Sequence, residues 1–162
     1  MPVSAVIAGA AGEFAHNTGF LQKAVAGLTS EQWLVRPSDH SNHITWIVGH
    51  VIWARHALIN RVGGQWSCPG VEVFARSTKL DMSCSYPSSE ALLALWRDSA
   101  VALDAALSDL TAEALAAPAP PGPPSPDGKL SGFIGVLAWH ETYHLGQIAY
   151  LRSWLGQSGI FG

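Results

Sequence analysis

The sequence predicts an all-α domain, a four-helix bundle with long crossover connections, and three observations support this class. Apolar residues recur at helical spacing in four long segments, strand-like alternation is nearly absent, and two long irregular connections interrupt the helical pattern. The chain has 162 residues, the size of one domain with one core. We therefore expect residues 1–162 to form a single unit.

The first helix is predicted from apolar positions that recur every three, four or seven residues between Ile7 and Leu28. Residues 29–32 (Thr-Ser-Glu-Gln) then have the pattern of a capping box, which opens a short turn. This turn must end before Pro37, because the proline ring disfavours a helical conformation in the preceding residue.

The second and third helices are separated by a long connection. The second is expected to have its N-cap at Ser41 or Asn42, two good capping residues, and to run to about Val62, before a pair of glycines. Residues 65–87 show no sustained period and are predicted to be an irregular segment that shapes access to the functional site. The third helix is predicted to begin near Ser88.

A proline-rich linker at about residues 118–128 precedes the fourth helix. Residues 118–126 contain six of the ten prolines of the chain, so this segment cannot be helical. A polyproline-like crossover is the plain interpretation. The fourth helix is predicted from about Ser131 to about Leu155, followed by glycines at its C-terminal end.

Composition excludes several classes of protein. With 48% apolar and 13% charged residues the chain is not disordered, and 9 Lys and Arg against 12 Asp and Glu give no basic surface for nucleic acid. The longest uncharged stretch, residues 40–54, is shorter than the roughly 20 residues of a membrane span. Cys68 and Cys84 are neither a disulfide framework nor a zinc-ribbon pattern. We expect a cytoplasmic protein with no nucleic-acid or membrane partner.

Three histidines are predicted to meet in the bundle core. His140 and His144 lie one turn apart within the apolar stripe of the fourth helix, and His50 lies within the stripe of the second. Histidines at i and i+4 point the same way and can clamp a metal ion. Three neutral imidazoles that leave a coordination position open are typical of a catalytic metal site.

The alternative is that these are hydrogen-bonded core histidines of a helical interaction protein without metal. An unpaired buried polar group costs about 1–3 kcal/mol, whereas a whole domain has only about 5–15 kcal/mol of stability. Gln147 is the main polar neighbour of the pair on the fourth helix, and one amide cannot satisfy three imidazoles. A divalent ion satisfies all three, which favours a metal site.

The remaining histidines have weaker patterns. His43 is on the same face as His50 but near the helix start, where we expect solvation, and His56 is expected to be exposed on another face. His40 belongs to a loop. His16, beside the stripe of the first helix, is a candidate fourth ligand or a group that supports a ligand.

Residues 140–144 (His-Glu-Thr-Tyr-His) match the H-E-x-x-H motif of zinc peptidases, in which the glutamate is the general base. A third ligand downstream is excluded, because residues 145–162 contain no His, Asp or Glu. A peptidase therefore stays only a further alternative. Glu141 is a candidate catalytic residue, as a base or as a group that orients a ligand, or else it is a solvated surface residue.

The chain resembles the DinB-like superfamily. The resemblance rests on residues 46–50 (WIVGH), residues 139–148 (WHETYHLGQI) and residues 28–37 (LTSEQWLVRP), and it covers roughly residues 14–157. It implies a four-helix bundle, often dimeric, with a divalent metal such as zinc or nickel held by three histidines. On this chain those ligands are His50, His140 and His144, in agreement with the stripes.

Some relatives in that superfamily are thiol-dependent, namely mycothiol-dependent maleylpyruvate isomerase and bacillithiol or mycothiol S-transferases. The resemblance therefore implies an enzyme that transfers a metal-activated low-molecular-weight thiol to an electrophilic small molecule, with hydrolysis as a variant. Gln147 is a second candidate catalytic residue, because it can hydrogen-bond a ligand or a substrate. The alternative function is a non-catalytic metal-binding or stress-response module.

Two further groups of residues are candidates for the site. Four aromatic side chains either wall a pocket or fill the core. Three arginines are the only ones on the second and fourth helices that could bind the anionic groups of an acidic thiol. The aromatic residues are Trp46, Trp53, Trp139 and Tyr143, and the arginines are Arg55, Arg61 and Arg152.

Overall fold

Helices account for the regular structure of the protein in the computed structural model, which describes residues 2–76 and 78–160. The α-helices of this part are α1 (Ala8–Val25), α2 (Ile44–Arg61), α3 (Ser89–Ser108), α4 (Ala112–Ala116) and α5 (Leu130–Trp154). Short 3₁₀ helices cover Ala5–Ile7, Gln32–Leu34 and Val71–Phe74. Pairing of β type in the described ranges is limited to an isolated bridge between Pro118 and Lys129. The prediction of an all-α bundle is confirmed.

The four long helices form a bundle in which α1 and α2 occupy opposite corners. Both α1 and α2 pack against α3 and α5. Arg152 in the last turn of α5 donates to the carbonyl of Ala24 near the end of α1, so these two helices run in the same direction. The N-terminal half of α2 shares a core cluster with the C-terminal half of α5, so these two helices are antiparallel. None of the helices in the described ranges has the length and apolarity to cross a bilayer.

The core consists of two apolar clusters, one toward each end of the bundle. The first combines the start of α2 with the ends of α1 and α5, and the second combines the end of α2 with the starts of α1 and α5. Trp96 and Phe74 are fully buried in the first cluster, and Leu58 and Phe133 are buried in the second. The buried polar residues Arg55 on α2 and Glu141 on α5 lie between the members of the two clusters along their helices.

The start of α2 differs from the prediction. His43, not Ser41 or Asn42, is the N-cap, and its Nδ1 accepts the backbone N–H of Trp46 at 3.0 Å. The expectation that His43 is solvated is wrong, since it is only 1% exposed. Its ring packs edge-on against Tyr86, which comes from the irregular segment between α2 and α3. Burial lowers the pKa of His43, and the neutral imidazole can accept a hydrogen bond as a cap does.

Other terminal signals are confirmed. Thr29 Oγ1 accepts from the backbone N–H of Gln32 at 3.3 Å and Gln32 Oε1 accepts from that of Thr29 at 2.9 Å, a reciprocal capping box. Ser88 caps α3 by accepting from the backbone N–H of Ala91. Gly156 ends α5 at φ 75°, a conformation that glycine adopts without steric cost.

The proline-rich segment leads into α5 through a tight polar turn. One carboxylate oxygen of Asp127 accepts from the backbone N–H of Lys129 and the Ser125 hydroxyl, and the other accepts from the Ser131 hydroxyl. A Cβ on Gly132 would lie only 2.2 Å from the first of these oxygens. Glycine at this position therefore lets the turn close against the first turn of α5.

Candidate metal centre

His50, His140 and His144 come together where α2 faces α5, as predicted from their stripes. The Nε2 atoms of His50 and His140 are 3.4 Å apart, and those of His140 and His144 are 3.1 Å apart. One ligand atom from each of the three lies within 4.8 Å of the others, so the cluster could hold a metal ion. Two nitrogens bound at about 2.0–2.1 Å to one tetrahedral ion lie about 3.3 Å apart, which matches these separations.

Two of the rings are oriented by acceptors at Nδ1. Phe74 offers its carbonyl to Nδ1 of His50 at 2.8 Å, and Gln147 offers Oε1 to Nδ1 of His144, also at 2.8 Å. A carbonyl oxygen can only accept, so the proton of each ring is on Nδ1 and the lone pair is on Nε2. Both Nε2 atoms therefore face the cluster as acceptors, the form in which imidazole binds a metal.

His140 cannot satisfy both of these acceptors by itself. Its neutral ring carries one proton, and a proton on Nε2 can be donated to His50 or to His144 but not to both. Nδ1 of His140 is buried and has no hydrogen-bond partner among the described residues. One cation at the centre of the cluster would be shared by all three Nε2 atoms, so the donor set fits a divalent metal ion.

The environment keeps the three imidazoles neutral. Burial lowers the pKa of His50 and of His144. For His140 the pKa falls to about 4, first through burial and then through the proximity of other basic groups, which disfavours a further positive charge. These neighbours, in decreasing order of effect, are His144, His50 and Arg76. At neutral pH the cluster is therefore in the deprotonated form that a metal requires.

The aromatic residues divide between core and cavity. Trp46 is buried in the first core cluster and stacks on His50, with ring centroids 5.1 Å apart and an interplanar angle of 8°. Trp53 stacks on the same ring at 5.5 Å and lines a cavity, as does Trp139, which is 61% exposed. Tyr143 is also exposed and contacts the ring of His144 edge-on. Trp46 thus fills the core, and Trp53 and Trp139 wall the cavity.

A cavity of about 510 Å³ lies beside the histidine cluster and includes His50 and His140 in its lining. Its walls come from α2, from α5 and from residues 121–124 of the proline-rich segment. Arg76, which follows the 3₁₀ helix Val71–Phe74, completes one side. The irregular segment between α2 and α3 therefore contributes both the Phe74 carbonyl and a cationic wall residue.

Glu141 is not part of the histidine cluster. Its two carboxylate oxygens accept from Nε and Nη2 of Arg55 at 2.7 and 2.8 Å, and both side chains are buried. The interpretation of Glu141 as a solvated surface residue is therefore wrong. Burial raises the pKa of Glu141, while the Arg55 guanidinium opposes that rise. With both oxygens bound to Arg55, the carboxylate is not placed as the general base that the peptidase alternative requires.

The three arginines singled out in the sequence have different surroundings. Arg55 is paired with Glu141, and Arg152 is buried and donates to backbone carbonyls, so neither is available to a substrate. Arg61 does line the cavity. Arg76 lines it too, but the sequence pattern did not indicate it, because its segment has no helical period.

The other histidines lie outside the cluster. His16 is exposed on α1 and packs near Phe20, so its candidacy as a fourth ligand is not supported. His40 is exposed in a loop, as predicted. His56 is partly buried rather than exposed, because it packs against Trp66.

Fold and site together define a class, namely helical-bundle proteins with a three-histidine cluster on two facing helices that could bind a metal ion. A family model described as the DinB superfamily matches residues 13–148, which include all three histidines, and the chain belongs to this superfamily. No curated protein matches the chain.

Proposed function

We propose that the protein is a divalent-metal-dependent enzyme that transfers a low-molecular-weight thiol to an electrophilic small molecule. One observation carries the metal part of this proposal: the Nε2 atoms of three histidines face one another beside a cavity large enough for a small organic molecule. The thiol part rests on the resemblance to thiol-dependent relatives. Hydrolysis, with water in place of the thiol, is the variant of the same chemistry.

In this proposal, His50, His140 and His144 would hold a zinc or nickel ion. Such an ion would supply Lewis acidity, the chemistry that makes a thiol or water a nucleophile at neutral pH. The remaining contributions come from the chain itself. The Phe74 carbonyl and Gln147 keep the Nδ1 protons of two rings in place, so that the lone pairs stay aimed at the centre.

Other residues contribute by binding the substrate and excluding water. The cavity walls at Trp53, Leu58 and Phe133 offer apolar surface to the organic part of the substrate. Gln147 is a positioning residue in this mechanism, because its amide oxygen is engaged by His144. Glu141 is also a positioning residue, since its pairing with Arg55 helps to hold α5 against α2 one residue from His140.

The first test is metal content per chain, measured by elemental analysis of protein purified without a metal-affinity tag. We expect about one equivalent in the parent and almost none in His50→Ala, His140→Ala or His144→Ala. His16→Ala, which removes an exposed histidine outside the cluster, should keep the full equivalent. An empty parent after addition of zinc and nickel, or metal retained by the three cluster variants, would overturn the proposal.

A second test addresses the reaction. The metal-loaded parent is assayed for conjugation of 1-chloro-2,4-dinitrobenzene with cysteine, glutathione or another small thiol, and for hydrolysis of 4-nitrophenyl acetate. We expect conjugation above the uncatalysed rate, lost both on chelation and in His140→Ala. Hydrolysis without conjugation would replace the thiol proposal with its hydrolytic variant.

The alternative of a non-catalytic module is distinguished by the stability of the metal-free protein. If the metal is structural, binding energy is folding energy and the chain unfolds without metal. None of the three histidines belongs to either apolar cluster or to the Arg55–Glu141 pair. The interactions that hold the helices together therefore do not depend on a bound metal. We therefore expect a folded apoprotein by circular dichroism. A cytoplasmic location, expected from the sequence composition, and homodimer formation, which the resemblance implies, stay predictions.

A further inference from the structure

Arg76 is a cation with no assigned partner at the edge of the cavity. It is exposed, it lines the cavity together with His140, and it forms no hydrogen bond or ion pair with any residue that the structure describes. Because both residues line the same cavity, an anion held by Arg76 would lie in the space that adjoins the histidine cluster.

Arg61, the other cation of the cavity, is already engaged. Its guanidinium donates to the carbonyl of Pro121 and lies 5.7 Å from the centre of the Phe133 ring. It is eleven residues after His50 on α2, about 16 Å along the helix axis at 1.5 Å per residue. Arg61 thus ties the proline-rich wall to α2 at the far end of the cavity, while the donors of Arg76 are available near the histidines.

The rest of the lining is apolar. Between the two arginines the walls are made of aromatic, aliphatic and proline side chains, and no acidic residue of the described ranges lines the cavity. The apolar side chains of the lining include Trp53, Leu58, Phe133, Val136 and Leu137. Although the chain has a net charge of −3, the charge inside this cavity is positive. Such a site discriminates against cations and favours anions with an apolar body.

We propose, as an extension of the proposed function and resting on it, that the substrate of this site is an apolar organic anion. Its carboxylate binds the guanidinium of Arg76 beside the histidine cluster, and its hydrocarbon or aromatic body lies along Trp53 and Phe133. A guanidinium matches a carboxylate with two parallel donors, so Arg76 would determine specificity as well as affinity.

The test compares two probes of nearly equal shape, 4-phenylbutyrate and the neutral 4-phenylbutanamide. Their affinities are measured by isothermal titration calorimetry for the parent, Arg76→Gln and Arg76→Lys, with the metal content of every sample determined. Arg97→Gln is the matched control, because Arg97 is exposed on α3 and does not line the cavity. Any direct contact of the carboxylate with the metal is common to parent and variants, so the change in preference between them isolates Arg76.

In the parent and in Arg97→Gln we expect the carboxylate to bind about tenfold more tightly than the amide. Arg76→Gln should lose most of this preference without a change in amide affinity, and Arg76→Lys should keep part of it. Equal binding of both probes by the parent, an unchanged preference in Arg76→Gln, or no binding at millimolar concentration would overturn the inference. An Arg76-dependent preference in a parent that binds no metal even after addition of zinc and nickel would support this inference while overturning the metalloenzyme proposal.

Discussion

Two groups of polar side chains lie at the same α2–α5 interface. The polar atoms of one group have hydrogen-bond partners, whereas the other group has too few donors and acceptors. The first is the Arg55–Glu141 pair, and the second is the histidine cluster. His140 and Glu141 are neighbours in sequence, and Arg55 follows His50 by five residues. Each residue turns a helix by about 100°, so His140 and Glu141 point about 100° apart, and His50 and Arg55, five residues apart, point about 140° apart. In each pair the histidine lines the cavity and the other residue is buried in the bundle.

The Arg55–Glu141 pair is saturated. Arg55 donates to Glu141 on α5, to Ser99 on α3 and to Thr18 and the Phe14 carbonyl on α1, so one side chain on α2 reaches the other three long helices. Its guanidinium also lies 3.5 Å from the centre of the Trp96 ring. Each guanidinium nitrogen of Arg55 and each carboxylate oxygen of Glu141 has at least one partner, so this buried pair specifies how the helices pack rather than binding a ligand.

The histidine cluster is unsatisfied in the same environment. The Nε2 acceptors of His50 and His144 share one donor, Nε2 of His140, and Nδ1 of His140 has no partner in the part of the chain that the structure describes. Unmet hydrogen-bonding capacity next to a cavity is typical of a binding site. Arg55 and Glu141 thus stabilise the bundle through their mutual pairing, whereas the histidine cluster beside the cavity could still bind a ligand. A buried polar atom without a partner among the described residues does not by itself mark a binding site, because Nε1 of Trp46 in the first core cluster is another such atom.

The largest effect is expected from Glu141→Ala. Removal of the carboxylate leaves the buried Arg55 charge uncompensated, which should lower the free energy of unfolding by about 3–5 kcal/mol. Urea titration of the metal-free protein measures this change. Asp98→Ala, which removes an exposed carboxylate from α3, is the control and should stay within about 0.5 kcal/mol. A loss below about 1 kcal/mol for Glu141→Ala would remove the contrast between the two groups.

Gly49→Ala should disturb both stability and metal binding. A Cβ on Gly49 would lie 2.4 Å from the ring of Phe74, so that residue must move together with the carbonyl that orients His50. We expect about 1–3 kcal/mol of destabilisation and weaker metal affinity. The control is Gly135→Ala on α5, where an added Cβ meets nothing within 4 Å and the higher helix propensity of alanine stabilises. Equal behaviour of the two variants would argue against a role for Phe74.

Gln147→Leu should weaken metal binding without a comparable loss of stability. Loss of the acceptor for Nδ1 of His144 is expected to weaken metal affinity about 10–100-fold, because the ring can then rotate and change tautomer. The free energy of unfolding of the metal-free protein should change by less than about 1 kcal/mol. Competition with a chromophoric chelator gives the affinity, and Gln65→Leu in an exposed loop serves as the control. Unchanged affinity would show that Gln147 does not position the ring.

His140→Ala should leave the metal-free bundle nearly as stable as the parent. A buried Nδ1 without a partner is a cost to the folded state, and its removal offsets the packing lost with the ring. We expect a change within about 1 kcal/mol by urea titration, despite the complete loss of bound metal. A loss as large as that of Glu141→Ala would mean that the cluster holds the bundle together.

The smallest effect on stability is expected at Asp127, whose carboxylate accepts hydrogen bonds but is exposed to solvent. Hydrogen bonds from Lys129 N–H and from the hydroxyls of Ser125 and Ser131 lower the pKa of Asp127 to about 2. Since this pKa is below the unfolded value of 3.8, the contribution to stability is complete above about pH 4 and is lost as the pH falls toward 2. Asp127→Asn should therefore destabilise slightly at pH 7, and the difference should vanish near pH 2. A carboxyl titration by NMR checks the pKa, and a normal value would contradict the turn geometry.

Much of the fold and the core of the candidate site could be predicted because both depend on helical periodicity. Stripes of apolar residues locate the long helices, and i, i+4 spacing places His140 and His144 together. His50 was found because it interrupts the same kind of stripe on α2. The environment of Glu141 could not be predicted, because a helical position between two faces can turn either toward solvent or toward a partner far away in sequence.

Local sequence patterns are enough to predict the helical class, the positions of the long helices, the capping box at Thr29 and the three histidines of the cluster. These features follow from local periodicity and short-range hydrogen bonding, which depend on residues a few positions apart in the sequence. The tertiary structure alone decided the rest, namely the pairing of Arg55 with Glu141, the carbonyl of Phe74 at His50 and the position of Arg76. A backbone carbonyl has no residue type that could signal it, and a contact across 86 residues depends on how the helices pack rather than on either local sequence.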